Sequence, residues 1–181
     1  MNHKNEERRD EPESDVLREA EIQAKQAHEA LKRFRLVFKA VQQHSQWVET
    51  QCGVSSAQLW ALWQLSETPG LRVSDLAKAM SIHQSTASNL LDKLEKSGLI
   101  RRDRSGPDQR VVQLHLTEQG KALLERAPKP ARGILQNALF NLPAEELRSL
   151  NHNLETLLAC MKIVDEQAAM EPLPSPTRLP D

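Results

Sequence analysis

The sequence has few aromatic residues, few glycines and only two cysteines. Its 181 residues include three Trp, three Phe and no Tyr. Aliphatic side chains must therefore supply most of the buried surface, and because helices arrange them economically, an all-β sandwich is not expected. Cys52 and Cys160 are too few for a disulfide framework, and they form no Cys-x-x-Cys pair for zinc or redox chemistry.

No stretch of the sequence is apolar enough to cross a membrane or to act as a signal peptide. We therefore expect a soluble cytoplasmic protein with no membrane partner. None of the six glycines lies in a phosphate-binding loop or a nucleophile elbow, so an enzyme is not expected. The six histidines show no close ligand spacing, and no metal or other cofactor is predicted.

A formal net charge of −1 initially disfavours nucleic acid as a partner, because phosphate binding requires local Lys and Arg. The charge is unevenly distributed, however. Residues 31–121 carry 13 Lys and Arg against 8 Asp and Glu, whereas residues 1–30 and 122–181 are acidic. A basic centre between acidic ends is compatible with DNA binding.

Composition and periodicity divide the chain into five segments. Residues 1–15 are predicted to be a flexible acidic arm and residues 167–181 a flexible Pro-rich tail, because neither buries enough apolar surface to offset its ordering entropy. Residues 16–52 are predicted to form one long helix, 53–120 a compact domain, and 121–166 further helices.

The first and last helical segments each carry one apolar face. Small and apolar residues recur every three or four positions from Ala20 to Val48, and again from Leu147 to Val164. Such a stripe is either ordinary core or a seam that pairs with another helix, within the chain or in a second copy. Because two stripes occur together, we interpret both segments as dimerisation helices of a homodimer.

Between these segments lies a run of short elements. The predicted elements are helices over 53–67, 73–80 and 84–98 and strands over 99–104 and 110–116. Ser55 or Ser56 is predicted to cap the first helix, and Gly98 to end the third. Thr117 is predicted to cap a further helix, which Pro128 and Pro130 interrupt.

A short helix, a tight turn, a longer helix and a hairpin are typical of a winged helix-turn-helix, in which the longer helix enters the major groove. The predicted fold class is therefore mainly α with a small β-hairpin wing, flanked by N- and C-terminal dimerisation helices.

The longer helix has two faces of different chemistry. Ala87, Leu90, Leu91 and Leu94 point to one side and are expected in the core. The other side carries hydroxyl, amide and amino groups that suit approach to DNA. The candidate base-reading residues are Ser85, Ser88 and Asn89, and the candidate phosphate-binding residues are Thr86, Lys93 and Lys96. Asp92 on this face is unfavourable near phosphate unless it pairs with a basic residue, and an ordinary solvated face would look similar.

The predicted hairpin is rich in arginine. Arg101, Arg102, Arg104 and Arg110 surround the polar turn at 105–109, and a narrow basic hairpin fits a minor groove. Arginine on an edge strand also discourages aggregation. The position directly after a helix-turn-helix favours the DNA interpretation.

From about Val54 to Gly120 the sequence resembles the MarR family of bacterial transcriptional regulators. The resemblance is carried by LRVSDLAKAMSIHQSTASNLLDKLEKSGLIRR, by the wing sequence DQR and by LTEQG. It implies a homodimer that binds a pseudo-palindromic, double-stranded DNA operator, most often as a repressor. It also implies that Arg110 enters the minor groove and that Asp108 orients a wing arginine. We expect Arg104 to share the wing contact with Arg110.

Members of this family commonly release DNA when a small anionic aromatic compound binds between the dimer helices and the winged helix. The candidate effector-binding residues are Arg33, His44, Trp47, Trp60 and Trp63, with Arg35 and Lys39 as further partners for an anion. The tryptophans are also compatible with a purely structural role in the core.

Two alternative functions follow from other features. Family members can also respond to oxidation, and a redox sensor would use Cys52, with a pKa lowered by His44, or Cys160 on the last apolar stripe. Buried, inert thiols are the alternative. A winged helix can also serve as a protein-interaction module without specific DNA binding. Such a module predicts neither a steep salt dependence of DNA affinity nor a loss of binding in Arg110→Ala.

Overall fold

A computed structural model describes residues 11–104, 112–163, 165 and 167–173. Within these ranges the chain forms seven α-helices, one 3₁₀ turn and a two-stranded antiparallel sheet, which confirms the expected mainly α class with a small β-hairpin. The helices are α1 (Glu11–Cys52), α2 (Ser56–Glu67), α3 (Val73–Met80), α4 (Gln84–Lys96), α5 (Glu118–Arg126), α6 (Ile134–Asn141) and α7 (Ala144–Met161). The strands are β1 (Ile100–Asp103) and β2 (Gln113–Leu116), and the 3₁₀ turn is Ala168–Met170.

The chain divides into two compact units, one ending at Ala40 and one beginning at Val41. The described part of the first unit is the N-terminal portion of α1, which begins at Glu11, inside the segment predicted to be a flexible arm. The apolar side chains of this portion are exposed: Leu31 is 50% and Phe38 is 63% accessible, and the Phe34 ring stacks on that of Phe38 at 6.4 Å. This stripe is therefore not core within its own unit.

The hydrophobic core lies in the second unit, where α2, α3, α4 and the hairpin pack together. Leu62, Leu76, Leu91, Leu94 and Leu114 have no accessible surface. Each buried leucine removes apolar surface worth about 2 kcal/mol from water. On α4, Ala87 is also fully buried and Leu90 is half-buried against this core, so the predicted inward side of the helix is confirmed.

Local signals set the helix ends as predicted. Ser55 forms a capping box with Gln58 at the start of α2, so that each satisfies a backbone N–H of the other. Gly98, with φ +68°, follows α4 in the left-handed conformation that glycine adopts without strain. Ser81 takes the same conformation after α3, with φ 53°, and makes the sharp turn into α4.

The hairpin is the two-stranded wing, and it is shorter than the predicted strands. Ile100 pairs with Leu116 and Asp103 with Gln113. Leu114 also exchanges two backbone hydrogen bonds of 3.0 Å with the segment at Gly70 and Leu71, which ties the wing to the chain after α2. The predicted turn at 105–109 lies outside the described residues.

Prolines separate the C-terminal helices as predicted. α5 ends at Arg126, before Pro128, and the next helix, α6, ends at Asn141. In α7, all of which is described, no residue is buried, and Met161 on the predicted stripe is 56% accessible. No helix in the described ranges is both long and apolar enough to span a membrane.

Residues 167–173, which the sequence assigned to a flexible tail, pack against the start of α4. The backbone N–H of His83 donates to the carbonyl oxygen of Met170 at 3.1 Å. The Asp165 carboxylate accepts from the N–H groups of Gln167 and Ala168 and so begins the 3₁₀ turn. The composition of this segment alone gives no reason to expect these contacts.

Candidate nucleic-acid interface and effector pocket

The structure brings the six predicted DNA-contacting residues of α4 onto the part of the helix that does not face the core. Four of the side chains are exposed, and the other two are half-buried. The exposed ones are Ser85, Asn89, Lys93 and Lys96, and the half-buried ones are Thr86 and Ser88. The surface offers hydroxyl, amide and ammonium groups, which match the donor and acceptor pattern of base edges and phosphates.

Asp92, the unfavourable acid on this surface, is paired. The Arg102 guanidinium reaches from β1 and places Nη2 at 2.7 Å from Asp92 Oδ1 and Nη1 at 3.0 Å from Glu95 Oε2. Because the carboxylates are substantially exposed, these pairs add at most about 1 kcal/mol to stability. Their main effect is to offset one of the two negative charges beside the candidate DNA-binding surface.

The same pairing reduces the positive charge available on the wing. Arg102 is committed to α4, and Arg101 Nη1 lies 3.0 Å from Asp103 Oδ2. Arg104 is exposed just after β1, and in the described part of the chain it makes no ion pair. Asp108 and Arg110, the other predicted wing residues, lie outside the described residues.

Thr86 has an unexpected partner. Its hydroxyl lies 3.2 and 3.4 Å from the two carboxylate oxygens of Glu171 and donates to this carboxylate. Glu171 belongs to residues 167–173, which we call the C-terminal segment. A negative charge therefore sits at the N-terminal end of α4, where the backbone N–H groups and the helix dipole favour an anion. Sequence reasoning missed this contact because 85 positions separate the two residues.

The LTEQG motif, residues 116–120, connects the start of α5 by hydrogen bonds to the residues between α4 and β1. The Thr117 hydroxyl accepts from the Gly120 N–H at 3.1 Å and donates to the Gly98 carbonyl oxygen at 2.6 Å. The Thr117 N–H donates to Leu99 O at 3.1 Å, and Gly120 lies against that same oxygen. The motif thereby fixes the wing relative to the candidate recognition helix.

A pocket of about 270 Å³ lies within the second unit, between the end of α1, α2, α6 and the C-terminal segment. Two predicted effector residues, His44 and Trp60, line it. Sequence reasoning missed the rest of its lining, since α6 and the C-terminal segment are distant in sequence. These further lining residues include Ser45, Ser56, Met80, Ile82, Leu135, Leu139, Glu171 and Leu173.

The other predicted effector residues are not in this lining. Trp47 is 52% accessible, and its ring meets the His44 ring edge-on at 6.3 Å. Trp63 lies under the Arg132 guanidinium, 4.4 Å from the ring centroid. Arg33 belongs to the first unit, where its Nη1 lies 4.0 Å from Glu29 Oε2.

His44 is the polar centre of the pocket wall. It is 7% accessible, and burial lowers its pKa, an effect that a hydrogen bond to the Pro130 backbone partly opposes. Because a proline offers only its carbonyl oxygen, the ring N–H must be the donor. Nε2 is buried, and it has no hydrogen-bond partner among the described residues.

The two cysteines differ in environment. Cys52 is half-buried, and burial raises the pKa of its thiol, although the Arg126 charge acts in the opposite direction. This direction is opposite to the lowered pKa that we expected His44 to provide for a redox sensor. Cys160 is exposed on α7. In the described ranges no three His, Cys, Asp or Glu residues are grouped to hold a metal ion.

A helix-turn-helix followed by a basic hairpin defines the winged-helix class of regulators. Residues 54–112 match the model of the MarR family. The HTH-type transcriptional repressor MdtR of Bacillus subtilis is 32% identical over 119 residues, which cover 66% of this chain and 76% of MdtR. The chain belongs to the MarR family of transcriptional regulators, which are not enzymes, and the resemblance found in the sequence is confirmed.

Two further comparisons agree. The homoprotocatechuate degradative operon repressor of Escherichia coli is 30% identical over 95 residues, which cover 52% of this chain and 64% of that protein. The crystal structure of a MepR-like protein complexed with pseudoligands matches with a TM-score of 0.53 and 25% identity, covering 74% of this chain and 94% of that one.

Proposed function

We propose that this chain is a repressor that binds a two-fold symmetric DNA operator as a homodimer and releases it when a small molecule binds. The observation that carries the proposal is the surface of α4. Ala87, Leu91 and Leu94 are buried on its core side, while its polar side chains remain at least partly accessible. Its carboxylate at Asp92 is paired with Arg102. This combination suits a helix that lies in a major groove.

The proposed roles follow the chemistry of each side chain. Ser85, Ser88 and Asn89 read base edges, and Thr86, Lys93 and Lys96 hold phosphates. Arg104 and Arg110 enter the minor groove, with Asp108 orienting one of them through a charge-assisted hydrogen bond.

The proposed dimer would use the dimerisation segments 16–52 and 121–166. Each unit separately supports this, because α1 exposes Phe38 in the first unit and α7 exposes Leu157 and Met161 in the second. A second copy of the chain would cover such surfaces, as in a two-fold symmetric assembly.

The proposed effector site is the pocket lined by His44 and Trp60. Its mostly apolar lining with a few polar groups is that of a small-molecule site. The name of the Escherichia coli relative, a repressor of an operon for homoprotocatechuate degradation, links that protein to the metabolism of an aromatic compound. Burial raises the pKa of Cys52, which argues against Cys52 as a redox sensor, whereas Cys160 is exposed as such a sensor would need to be.

Selection of bound fragments from random DNA duplexes tests the proposed DNA binding. We expect enrichment of a motif with two-fold symmetry, and an affinity that falls steeply as salt rises. Recovery of no motif, combined with weak salt dependence, would instead support a protein-interaction module.

Two variants separate base reading from phosphate contact. Asn89→Ala should relax the preference at one base pair in each half-site, at a cost of about 1–3 kcal/mol. Lys96→Ala should weaken binding to all sequences and reduce the salt slope by about 1 for each subunit. The matched control is Lys162→Ala, which removes an exposed lysine beyond α7 and should bind DNA as the wild type does.

A further inference from the structure

The C-terminal segment lies against the N-terminal end of α4. The His83 N–H donates to the Met170 carbonyl oxygen at 3.1 Å, and the Thr86 hydroxyl donates to the Glu171 carboxylate. His83 is the N-cap residue of α4, and Thr86 lies in its first turn. In helix-turn-helix proteins the N-terminal residues of the recognition helix are those that contact the bases. The segment therefore covers part of the surface that the proposed function assigns to DNA.

The helix α4 has no negative charge of its own at this end. Its first turn contains no acidic residue, and the His83 side chain makes no capping hydrogen bond. The N–H groups that lack a partner within the helix, together with the helix dipole, favour an anion here. Glu171 supplies that anion from a distant part of the chain, and a DNA phosphate would supply the same kind of charge.

Thr86 cannot serve both anions at once. A threonine hydroxyl has one proton to donate, and in the structure it donates to Glu171. A phosphate brought to the same hydroxyl would also meet the Glu171 carboxylate, and two like charges this close repel each other. The docked segment and a phosphate at Thr86 therefore exclude each other.

The segment is held weakly enough to move aside. None of its residues is buried, and Leu173 at its end is 49% accessible. Ala169, Pro172 and Leu173 form part of the pocket wall, so some apolar contact supports the docked position. Each hydrogen bond to α4 shifts an equilibrium by only about two- to tenfold. Specific binding to DNA releases enough free energy to displace such a segment.

We propose that the C-terminal segment is an autoinhibitory element, which must leave the N-terminal end of α4 before a DNA phosphate can bind Thr86. Docking lowers the apparent affinity for DNA, because only molecules with a released segment are fully competent to bind. Asp165 is the positioning residue, since its carboxylate accepts from the N–H groups of Gln167 and Ala168 and begins the 3₁₀ turn. The inference rests on the proposed function for its effect on DNA.

Hydrogen exchange in the full chain tests docking without DNA. Because the His83 N–H donates to Met170, its exchange rate, measured by mass spectrometry at single-residue resolution, reports whether the segment is docked. Asp165→Ala leaves both contacts with α4 chemically intact but should speed this exchange about threefold or more, because the turn loses two hydrogen bonds. Asp165→Asn keeps an oxygen acceptor and should restore slow exchange. An unchanged rate in Asp165→Ala would overturn the proposal.

Affinity for the operator recovered by the selection experiment tests inhibition. Fluorescence anisotropy at fixed salt should show Asp165→Ala binding about threefold or more tightly than the wild type. Asp165→Asn loses the same charge but keeps the acceptor, so it should bind with nearly the wild-type affinity. An equal gain in both variants would indicate an effect of net charge and would overturn the proposal, as would no gain in Asp165→Ala.

The failure of this inference is distinguishable from failure of the proposed function. If the selection recovers no operator, the proposed function fails, and exchange at His83 still shows whether the segment docks. If an operator is recovered, and Asp165→Ala exchanges faster at His83 but binds that operator only as tightly as the wild type, autoinhibition alone is overturned.

Discussion

Gly120 lies in the first turn of α5 with its Cα against the carbonyl oxygen of Leu99. A Cβ at this position would overlap that oxygen, and backbone atoms cannot move aside as a flexible side chain would. Helix propensity alone predicts that alanine stabilises a helical glycine position by about 1 kcal/mol. We expect the reverse for Gly120→Ala, a loss of about 1–3 kcal/mol of unfolding free energy from overpacking.

Urea denaturation followed by circular dichroism measures this change. Gln119→Ala, one position earlier on the exposed side of α5, should alter the unfolding free energy by no more than about 0.5 kcal/mol. An increase in stability for Gly120→Ala would show that Gly120 does not lie as close to the Leu99 carbonyl oxygen as in the structure.

His44 gives a pH dependence of known sign. Burial lowers its pKa below the ordinary value of 6.5, so the unfolded chain takes up a proton more readily than the folded one. The contribution to stability is therefore fully present above the unfolded pKa and declines as pH falls from that value towards the folded pKa. His44→Gln should remove this part of the dependence of the unfolding free energy on pH.

Urea midpoints between pH 7.5 and 5.5 provide the measurement. The control is His152→Gln, because His152 is exposed on α7. The interpretation fails if His44→Gln has the same pH dependence as the wild type over this range.

At the scale of single residues, the sequence predicts positions whose role is local. The caps at Ser55 and Thr117 and the stop at Gly98 depend on nearby backbone groups, so their spacing was sufficient to find them. The pairing of Arg102 with Asp92 depends on how β1 crosses α4, which no local pattern specifies. The four arginines near one turn therefore suggested four unpaired positive charges, whereas Arg101 and Arg102 are paired with carboxylates in the structure.

At the scale of elements, periodicity predicted the helices well but did not predict which other segments pack against them. α3 has the predicted bounds, and α4 ends two residues before the predicted stop. The segment 167–173 was predicted to be flexible because its composition gives little apolar burial. In the structure it contacts His83 and Thr86, which lie far away in the sequence. The pocket could not be predicted for the same reason.

The contact between Thr86 and Glu171 gives a prediction for this segment. If Thr86 receives a phosphate, the Glu171 carboxylate occupies the same hydroxyl and adds a like charge beside the DNA. Glu171→Gln should therefore raise DNA affinity about two- to fivefold, as expected for one charge near a helix N-terminus. Fluorescence anisotropy with the selected operator, at fixed salt, measures the change.

Glu155→Gln removes an equal charge from the exposed surface of α7 and serves as the control. An equal gain in both variants would indicate a general effect of net charge. A gain confined to Glu171→Gln, and smaller at high salt, would support a local competition with phosphate.

At the scale of the whole molecule, the apolar stripe of α7 decides between a monomer and a dimer. Leu157 and Met161 are 40% and 56% accessible, so replacing both with glutamate should cost the single chain little stability. In a dimer that buries this stripe, four carboxylates would meet at the interface and each would lose its hydration. We therefore expect Leu157→Glu with Met161→Glu to convert a dimer into a folded monomer.

Sedimentation velocity, together with circular dichroism, distinguishes the outcomes. His152→Glu with Ala159→Glu adds the same charge on the opposite side of α7 and should remain dimeric. Because an operator with two half-sites needs two winged helices, the monomeric variant should also lose affinity for a full site far more than for a half-site. A variant that stays dimeric with normal operator affinity would mean that the subunits associate elsewhere, and that the stripe on α7 has another partner.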